Sequence, residues 1–294
     1  MRQLRCEPET ALGEICSVGS AWRHASGIFA GFWADRTPVH EAAKEGQIFK
    51  LKQLIENGAC VNLVTVDSIT PLHEASLWGQ TQCAQMLLAA GAQVDARDID
   101  GSTPLCDACA AGSIECVKLL LTHGAKVNPL LFTTSPLHEA CMSGRTECMK
   151  LLIEVGANLE AHDCHFGTPL HVACARPHLD CAKLLLNAGA NVNAAKLHET
   201  ALHHAAKAKN VDLIKMLVDY GGNVYAQDNQ GKTPLDYTRS GSPSSECLEY
   251  YQRTPLSLAH HCRVTLRKAL GPRRLQVIYQ LNIAPRLIRY LCYD

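Results

Sequence analysis

The chain of 294 residues is poor in aromatic side chains and has no excess of charge. Phe, Trp and Tyr make up 5% of the residues, although apolar residues make up 47%, so the core must consist mainly of small and aliphatic side chains. The 28 basic and 28 acidic side chains give a net charge of zero. This argues against nucleic acid as a partner, because proteins that bind it expose a strongly basic surface. No apolar run approaches the ~18 residues that a membrane-spanning helix needs, and we predict no membrane insertion.

The first 34 residues lack the features of a signal peptide. They have no charged start followed by a long apolar stretch and a cleavage site of small residues. We interpret residues 1–34 as a weakly ordered N-terminal leader.

A Thr-Pro-Leu-His segment recurs along the chain at a near-constant interval. A glycine keeps the same interval from Gly58 to Gly221. Two markers in phase indicate an array of structural repeats, and such arrays usually bind other proteins. The first residue of the segment falls, in steps of 32 or 33 residues, at Thr37, Thr70, Thr103, Ser135, Thr168, Thr200 and Thr233.

One unit, residues 101–133, shows how the pattern predicts structure. Thr103 offers a side-chain oxygen to the free amides of a helix start, and Pro104 suits the first helical position. Gly112 ends this short helix and Gly124 ends a second one. Each unit is therefore a helix, a turn, a helix and a projecting loop. Neighbouring units must stack, because neither helix can bury its apolar face alone.

These features resemble the ankyrin repeat, whose signature is Thr-Pro-Leu-His-x-Ala in a 33-residue period. The resemblance covers residues 36–237 and implies six full repeats and the start of a seventh. The third repeat has Cys106 in place of the histidine, and Lys209 replaces a glycine that ends a helix elsewhere. We expect a distorted helix end at Lys209. We interpret the regular histidines as buried groups that tie loops together through hydrogen bonds, rather than as catalysts; they are His40, His73, His138, His171 and His203.

Cysteine is abundant, with 15 residues, but its spacing does not suit disulfides. Three pairs are seven residues apart at equivalent repeat positions, where other repeats carry small apolar residues such as Ala43 and Ala206. We interpret these cysteines as core residues. A protein that keeps them reduced is expected to be cytoplasmic. The pairs are Cys109 and Cys116, Cys141 and Cys148, and Cys174 and Cys181.

The repeat pattern stops after Leu235, and residues 241–245 are typical of a loop. From Ser245 to Asp294 the chain has eight basic and three acidic side chains. Its apolar residues recur at helical spacing, which favours a solvated helical face over a nucleic-acid arm or a membrane patch.

Leu258, Cys262 and Leu266 form a narrow apolar stripe on a helix that Ser257 can cap. Two interpretations are open at this point. The stripe could pack on the last repeat, because repeat arrays need capping, or it could bind another protein.

Ser/Thr-Leu-x-x-x-Cys-x-x-x-aliphatic resembles the elongin-binding helix of the SOCS box. In that family the leucine enters an elongin C pocket and the cysteine packs beside it, roles that would fall to Leu258 and Cys262, with Leu266 completing the stripe. The segment at Leu281, Ile283, Ala284 and Pro285 resembles the cullin box, whose fuller pattern is Leu-Pro-Leu-Pro. Two departures are that His261 stands where the family usually has leucine, and that Asn282 and Ala284 replace both prolines.

The whole chain resembles the ankyrin repeat and SOCS box proteins. The predicted fold is all-α: an ankyrin-repeat solenoid at residues 35–240, with six full repeats and a partial seventh, then a small helical SOCS box at 245–294. The resemblance implies an adaptor that holds a target protein on its repeats, while the box docks elongin B/C and cullin-5 with a RING protein. The alternative is a protein-binding scaffold whose C-terminal helices only cap the array.

The target is unknown, but unusual loop tips suggest where it binds. Leu130, Leu131 and Phe132 are three large apolar residues in a row, which either contact a target or pack on one another. Further candidates for target contact are Trp78, His162, His165, Phe166 and His198.

The sequence offers no catalytic constellation outside positions that the repeat explains. Cys106 and Cys109 have a Cys-x-x-Cys spacing, and His162, Cys164 and His165 lie close together. Zinc needs four convergent ligands, and the cysteines are better explained as repeat residues. We therefore predict no catalytic residue, metal site or cofactor.

Overall fold

A computed structural model describes residues 36–129, 134–270, 278–280 and 282–292, and every structural statement below refers to these ranges. The predicted leader at 1–34 lies outside them. So do four of the candidate site residues, namely Leu130, Leu131, Phe132 and Leu281.

Within the described ranges, six helix pairs form the array. Each first helix packs on the first helix of the next unit, and each second helix packs on the next second helix. The prediction of an ankyrin solenoid is confirmed. None of the helices in these ranges is long and apolar enough to cross a bilayer. The pairs are α1 (Pro38–Lys44) and α2 (Ile48–Glu56), α3 (Pro71–Leu77) and α4 (Thr81–Ala89), α5 (Pro104–Ala111) and α6 (Ile114–Thr122), α7 (Pro136–Met142) and α8 (Thr146–Glu154), α9 (Pro169–Ala175) and α10 (Leu179–Ala188), and α11 (Ala201–Lys207) and α12 (Val211–Asp219).

The motif histidines join consecutive units. Nδ1 of His73 accepts hydrogen bonds from the Thr70 backbone N–H at 3.1 Å and from the Thr70 hydroxyl at 2.8 Å. Its Nε2–H donates to the Ser102 carbonyl of the next unit at 3.3 Å. Buried polar groups are satisfied in this way, so the sequence interpretation of these histidines is confirmed. The other four donate in the same way to the carbonyls of Ile69, Gly167, Glu199 and Lys232.

The third unit makes this connection with a thiol instead. Sγ of Cys106 lies 3.7 Å from the Thr134 carbonyl and accepts from the Thr103 hydroxyl at 3.5 Å. Burial raises the pKa of Cys106 to about 12, so the thiol stays protonated and can donate. The paired cysteines of the repeats are also buried and free, as expected for small core residues.

Two local features differ from the sequence expectation. Lys209 adopts φ +54°, the left-handed conformation that Gly112 takes at φ +79° in the third unit, so the turn is preserved rather than distorted. A hairpin of two short strands, β1 (Ala195–Lys196) and β2 (Glu199–Thr200), precedes α11. Its turn residues Leu197 and His198 both have positive φ, as a two-residue turn with this twist requires.

The array ends in an additional helix that the sequence analysis missed. The seventh unit forms only a 3₁₀ helix at Pro234–Tyr237, and α13 (Pro243–Arg253) packs against it and against α12. The Ser242 hydroxyl accepts from the Ser245 N–H at 3.2 Å, so the predicted loop is wrong from residue 243 onward. Leu248 of α13 is fully buried in the array core.

After α13 come α14 (Leu258–Leu270) and α15 (Pro285–Cys292), and residues 278–280 between them are also helical. Helices α14 and α15 contact each other. Ile278, Leu291 and Cys292 form a small separate core there.

Candidate functional site

The apolar stripe lies on the solvent side of α14. The Ser257 hydroxyl accepts from the His260 backbone N–H at 3.2 Å, which confirms the predicted cap. Leu258 is 80% exposed, Cys262 is also exposed, and Leu266 is 38% exposed. A leucine presented to this degree at the start of a stable helix is suited to enter a pocket of another protein.

The opposite face of α14 packs against the array. His260 and Arg267 are buried there although both are polar. Val264 approaches the turn after α12 so closely that a Cβ on Gly221 would lie 2.6 Å from its Cγ1. Gly221 also has φ +92°, so glycine is required at this contact. The helix therefore docks through one face and leaves the stripe free of the array.

Capping of the array is the role of α13 rather than of the stripe. Leu248 supplies the buried apolar contact, while Tyr251 packs against the same core. The Tyr225 hydroxyl in the loop after α12 donates to the Gln252 carbonyl at 2.7 Å. The capping interpretation thus applies to a different helix, and it leaves Leu258 and Cys262 without a structural role.

The segment resembling the cullin box lies at the start of α15. Ile283 is half-buried and packs on the small C-terminal core, whereas Ala284 and Pro285 are exposed. The Ala284 carbonyl accepts from the Leu287 N–H at 2.8 Å, so the backbone turns directly into the helix. The two prolines of the Leu-Pro-Leu-Pro pattern are absent here, so the backbone hydrogen bonds of the helix itself hold the start of α15.

His261 interferes little with the stripe. Its ring is exposed, and Nδ1–H donates to the Ser257 carbonyl at 3.1 Å in the first turn of α14. A polar ring whose donor is already satisfied is less costly beside an apolar contact than an unpaired one.

The loop tip that contains His162 and His165 is held by one carboxylate. Asp163 Oδ1 accepts from the backbone N–H groups of His165 and Phe166, at 2.6 and 2.8 Å. Both histidine side chains are exposed, whereas Phe166 is half-buried and packs on the array core. The tip is thus a rigid turn that presents two imidazoles.

The neighbouring tip is the hairpin that carries His198. His198 and Leu197 are exposed, and Lys196 Nζ donates to the His165 carbonyl. The two predicted tips therefore form one contiguous surface. No group of three His, Cys, Asp or Glu side chains converges as metal ligands among the described residues.

Trp78 lies apart from these tips, at the end of α3. Its ring is 55% exposed, with Lys44 Nζ 5.1 Å from the ring centroid. An exposed indole of this kind offers a large contact area to a partner.

Known protein families match both the repeat array and the C-terminal segment of the chain. Models of ankyrin repeats match residues 26–98, 90–163, 129–196 and 190–237, and a model of the SOCS box matches residues 254–292. Human ankyrin repeat and SOCS box protein 13 is 78% identical over 92% of this chain and 99% of its own length. The chain belongs to the ankyrin repeat and SOCS box family.

Other relatives of the family support the same assignment. The mouse ankyrin repeat and SOCS box protein 13 is 75% identical over 97% of this chain and all of its own length. The crystal structure of the human ASB11 ankyrin repeat domain superposes with a TM-score of 0.71, at 41% identity, covering 76% of this chain and all of that domain.

This family member also exposes apolar tip residues that the sequence analysis missed. Val66 is 76% exposed and Ile99 is 72% exposed, and the Ile99 N–H donates to the Asp67 carbonyl at 3.0 Å, which joins the two tips. A comparison of equivalent turns in the repeat sequence indicates these exposed apolar residues. Asp98 and Asp228 hold their turns with the same hydrogen bonds, yet the next residue is Ile99 in one turn and a polar asparagine in the other.

Proposed function

We propose that this chain is the substrate-recognition adaptor of an elongin B/C–cullin-5 RING E3 ubiquitin ligase, and that it promotes ubiquitination and proteasomal degradation of its target. The observation that carries the proposal is the stripe of Leu258, Cys262 and Leu266. It is exposed on a helix whose other face is docked, in the segment that matches the SOCS box.

The stripe has the chemistry of a binding hot spot. Burying a fully exposed leucine side chain against a partner contributes about 1.5–3 kcal/mol. In the proposed complex Leu258 enters a pocket of elongin C, Cys262 packs beside it, and Leu266 extends the contact along α14. The cullin-5 contact is made by Leu281, Ile283, Ala284 and Pro285, of which Ala284 and Pro285 are exposed.

The adaptor itself makes and breaks no bonds. A RING protein on cullin-5 directs ubiquitin to target lysines, and the adaptor raises the effective concentration of those lysines at the transfer site. In the proposed division of labour, the array with its cap α13 holds the target, residues 254–292 hold the ligase, and the complex acts in the cytoplasm.

We place the target on the loop tips and the adjoining helix ends of the array. The exposed candidates are Trp78, His162, His165 and His198, to which we add Val66 and Ile99 as apolar tip residues. Phe166 packs on the array core beneath its tip. Leu130, Leu131 and Phe132, which lie outside the described residues, complete the proposed set.

The decisive experiment is capture of purified elongin B/C by the full chain. We expect the double variant Leu258→Asp, Cys262→Asp to weaken capture at least about 100-fold, because two carboxylates would have to be buried in the interface. Leu197→Asp is the matched control, since Leu197 is an exposed leucine on the array.

The control should bind elongin B/C like the parent chain, and both variants should keep the parent melting temperature. Equal capture of elongin B/C by the double variant and the parent would leave the scaffold without ligase recruitment as the function.

A further inference from the structure

Arg267 buries a positive charge where α14 meets the array. The residue is 2% exposed, although it lies next to the partly exposed Leu266. Removing a guanidinium from water is costly unless good hydrogen bonds replace the water. The position therefore needs a reason beyond covering apolar surface.

The Arg267 guanidinium connects the array to the end of the box. Nη1 donates to the Leu291 carbonyl of α15 at 2.5 Å, and Nη2 is 3.4 Å from Oδ1 of Asn187 in α10. Its Cζ atom lies over the Tyr220 ring, 5.1 Å from the ring centroid. The Tyr220 hydroxyl donates to the same Asn187 oxygen at 2.5 Å. Two array residues and one box residue thus converge on one side chain.

The rest of this junction combines the close contact between Val264 and Gly221 with open space. A groove of about 540 Å³ lies between the last loop of the array and α14, lined by Val224, Tyr251, Leu256 and Val264 among others. A helix that is held at one point beside such a groove can tilt about that point unless a second contact holds it. Arg267 is placed to supply that contact, toward the opposite end of α14 from Leu258.

The same helix carries the elongin stripe on its other face. Any rotation of α14 about its axis, or any tilt, moves Leu258, Cys262 and Leu266 with it, and with them everything that docks there. Since transfer depends on where the target lysines lie relative to the ligase, the angle between array and box bears on the reaction.

We propose that Arg267 is a positioning residue, which fixes the angle of the ligase-docking helix relative to the target-binding array through Asn187, Tyr220 and the Leu291 carbonyl. The proposal rests on the adaptor function proposed above. Arginine suits this role because its planar fork donates in two directions while its face stacks on a ring, whereas lysine offers a single point of charge.

The first test measures the junction in the free chain, without the ligase. Fluorescent labels placed in the array and in α14 report their distance distribution by single-molecule energy transfer. We expect one narrow distribution for the parent, and a broader one for Arg267→Lys and for Asn187→Ala. Arg253→Met is the control, because Arg253 is an exposed arginine of α13.

Asn187→Ala keeps the arginine in place, and it tests the contact even where Arg267→Lys lowers stability. Identical narrow distributions for all four chains would overturn the proposal, whether or not the chain binds elongin B/C. A change of the melting temperature alone, with an unchanged distribution, would assign Arg267 a purely structural role and would also overturn it.

The second test uses the assembled ligase with cullin-5 and its RING protein, and maps ubiquitin on the lysines of the array itself by mass spectrometry. We expect elongin B/C affinity to stay within about 3-fold of the parent for Arg267→Lys, since the stripe is untouched. The modified lysines should spread over more positions than in the parent and in Arg253→Met. Failure of the parent to bind elongin B/C would refute the adaptor function, while an unchanged lysine pattern in Arg267→Lys would refute the positioning role.

Discussion

The array and the box use apolar and polar side chains in opposite ways. In the array, the apolar faces of the helices are buried, as at Leu72 and Leu120, and most of their charged residues face solvent, with Glu74 and Asp107 as buried exceptions. In α14 the apolar residues Leu258 and Cys262 are exposed, while the polar residues His260 and Arg267 are buried.

This difference indicates which part of the chain is complete by itself. An array helix finds its apolar partners in the neighbouring repeats, so its sequence and its contacts agree. A helix with its apolar stripe in water is stable in this arrangement only because the other face is held, and the stripe remains available to a partner. The contrast can be tested at three levels, with successively smaller expected effects.

The largest effect is expected when a buried leucine of the cap α13 is changed to alanine, in contrast to the same change at an exposed leucine of α14. Leu248→Ala should lower the free energy of unfolding by about 2–5 kcal/mol, because the side chain is fully buried. Leu258→Ala should change it by less than about 0.5 kcal/mol, because the side chain is exposed. Urea unfolding followed by circular dichroism measures both. Equal losses would mean that the stripe is part of the core after all.

A smaller effect is expected from pH, through the buried imidazoles of the array. Burial lowers the pKa of His171 to about 4 from its usual 6.5. The unfolded chain therefore binds more protons between these values, and the free energy of unfolding falls as the pH drops from about 6.5 to about 4, by at most about 1.4 kcal/mol per pH unit for each such imidazole. Above pH 6.5 this contribution is fully present.

Melting temperatures between pH 7.5 and 4.5 test this pH dependence. The variant His171→Asn should show a shallower decline than the parent. The variant His198→Asn changes an exposed histidine and should follow the parent curve. Parallel curves for all three chains would contradict a protonation effect at His171.

The smallest effect on stability is expected at the loop tips, where the array, like α14, exposes apolar side chains. Ile99→Asn places before the third unit the residue that follows Asp228 before the seventh unit, on a turn with the same hydrogen bonds. The free energy of unfolding should change by less than about 0.5 kcal/mol. Target ubiquitination in cells should fall, while elongin B/C capture stays at the parent level. A loss of several kcal/mol would show that Ile99 supports the fold instead.

Local rules made most of the array predictable. Thr-Pro pairs mark helix starts, glycines mark helix ends, and the histidine in the first turn bonds to a loop that always lies one repeat away. The same rules predicted the cap at Ser257. They failed at α13, because Gly241 and Pro243 are typical of a loop, yet Pro243 occupies the first turn of a helix that the array core stabilises.

The candidate site was predictable in composition but not in orientation. The spacing of Leu258, Cys262 and Leu266 defines a stripe, and it is equally compatible with a buried or an exposed face. Ile99 was overlooked because a single apolar residue in a turn is unremarkable until its neighbour across the tip, Asp67, is known.

The sequence by itself determined the repeat period, the positions of the capped helices and the family, because these depend on contacts within about one repeat length. The tertiary structure decided which face of α14 is covered, which helix caps the array, and that Arg267 meets Asn187, a residue 80 positions earlier. Such contacts join segments that no periodicity relates. Which of two faces becomes buried is set by what packs against it, and not by the pattern on the helix alone.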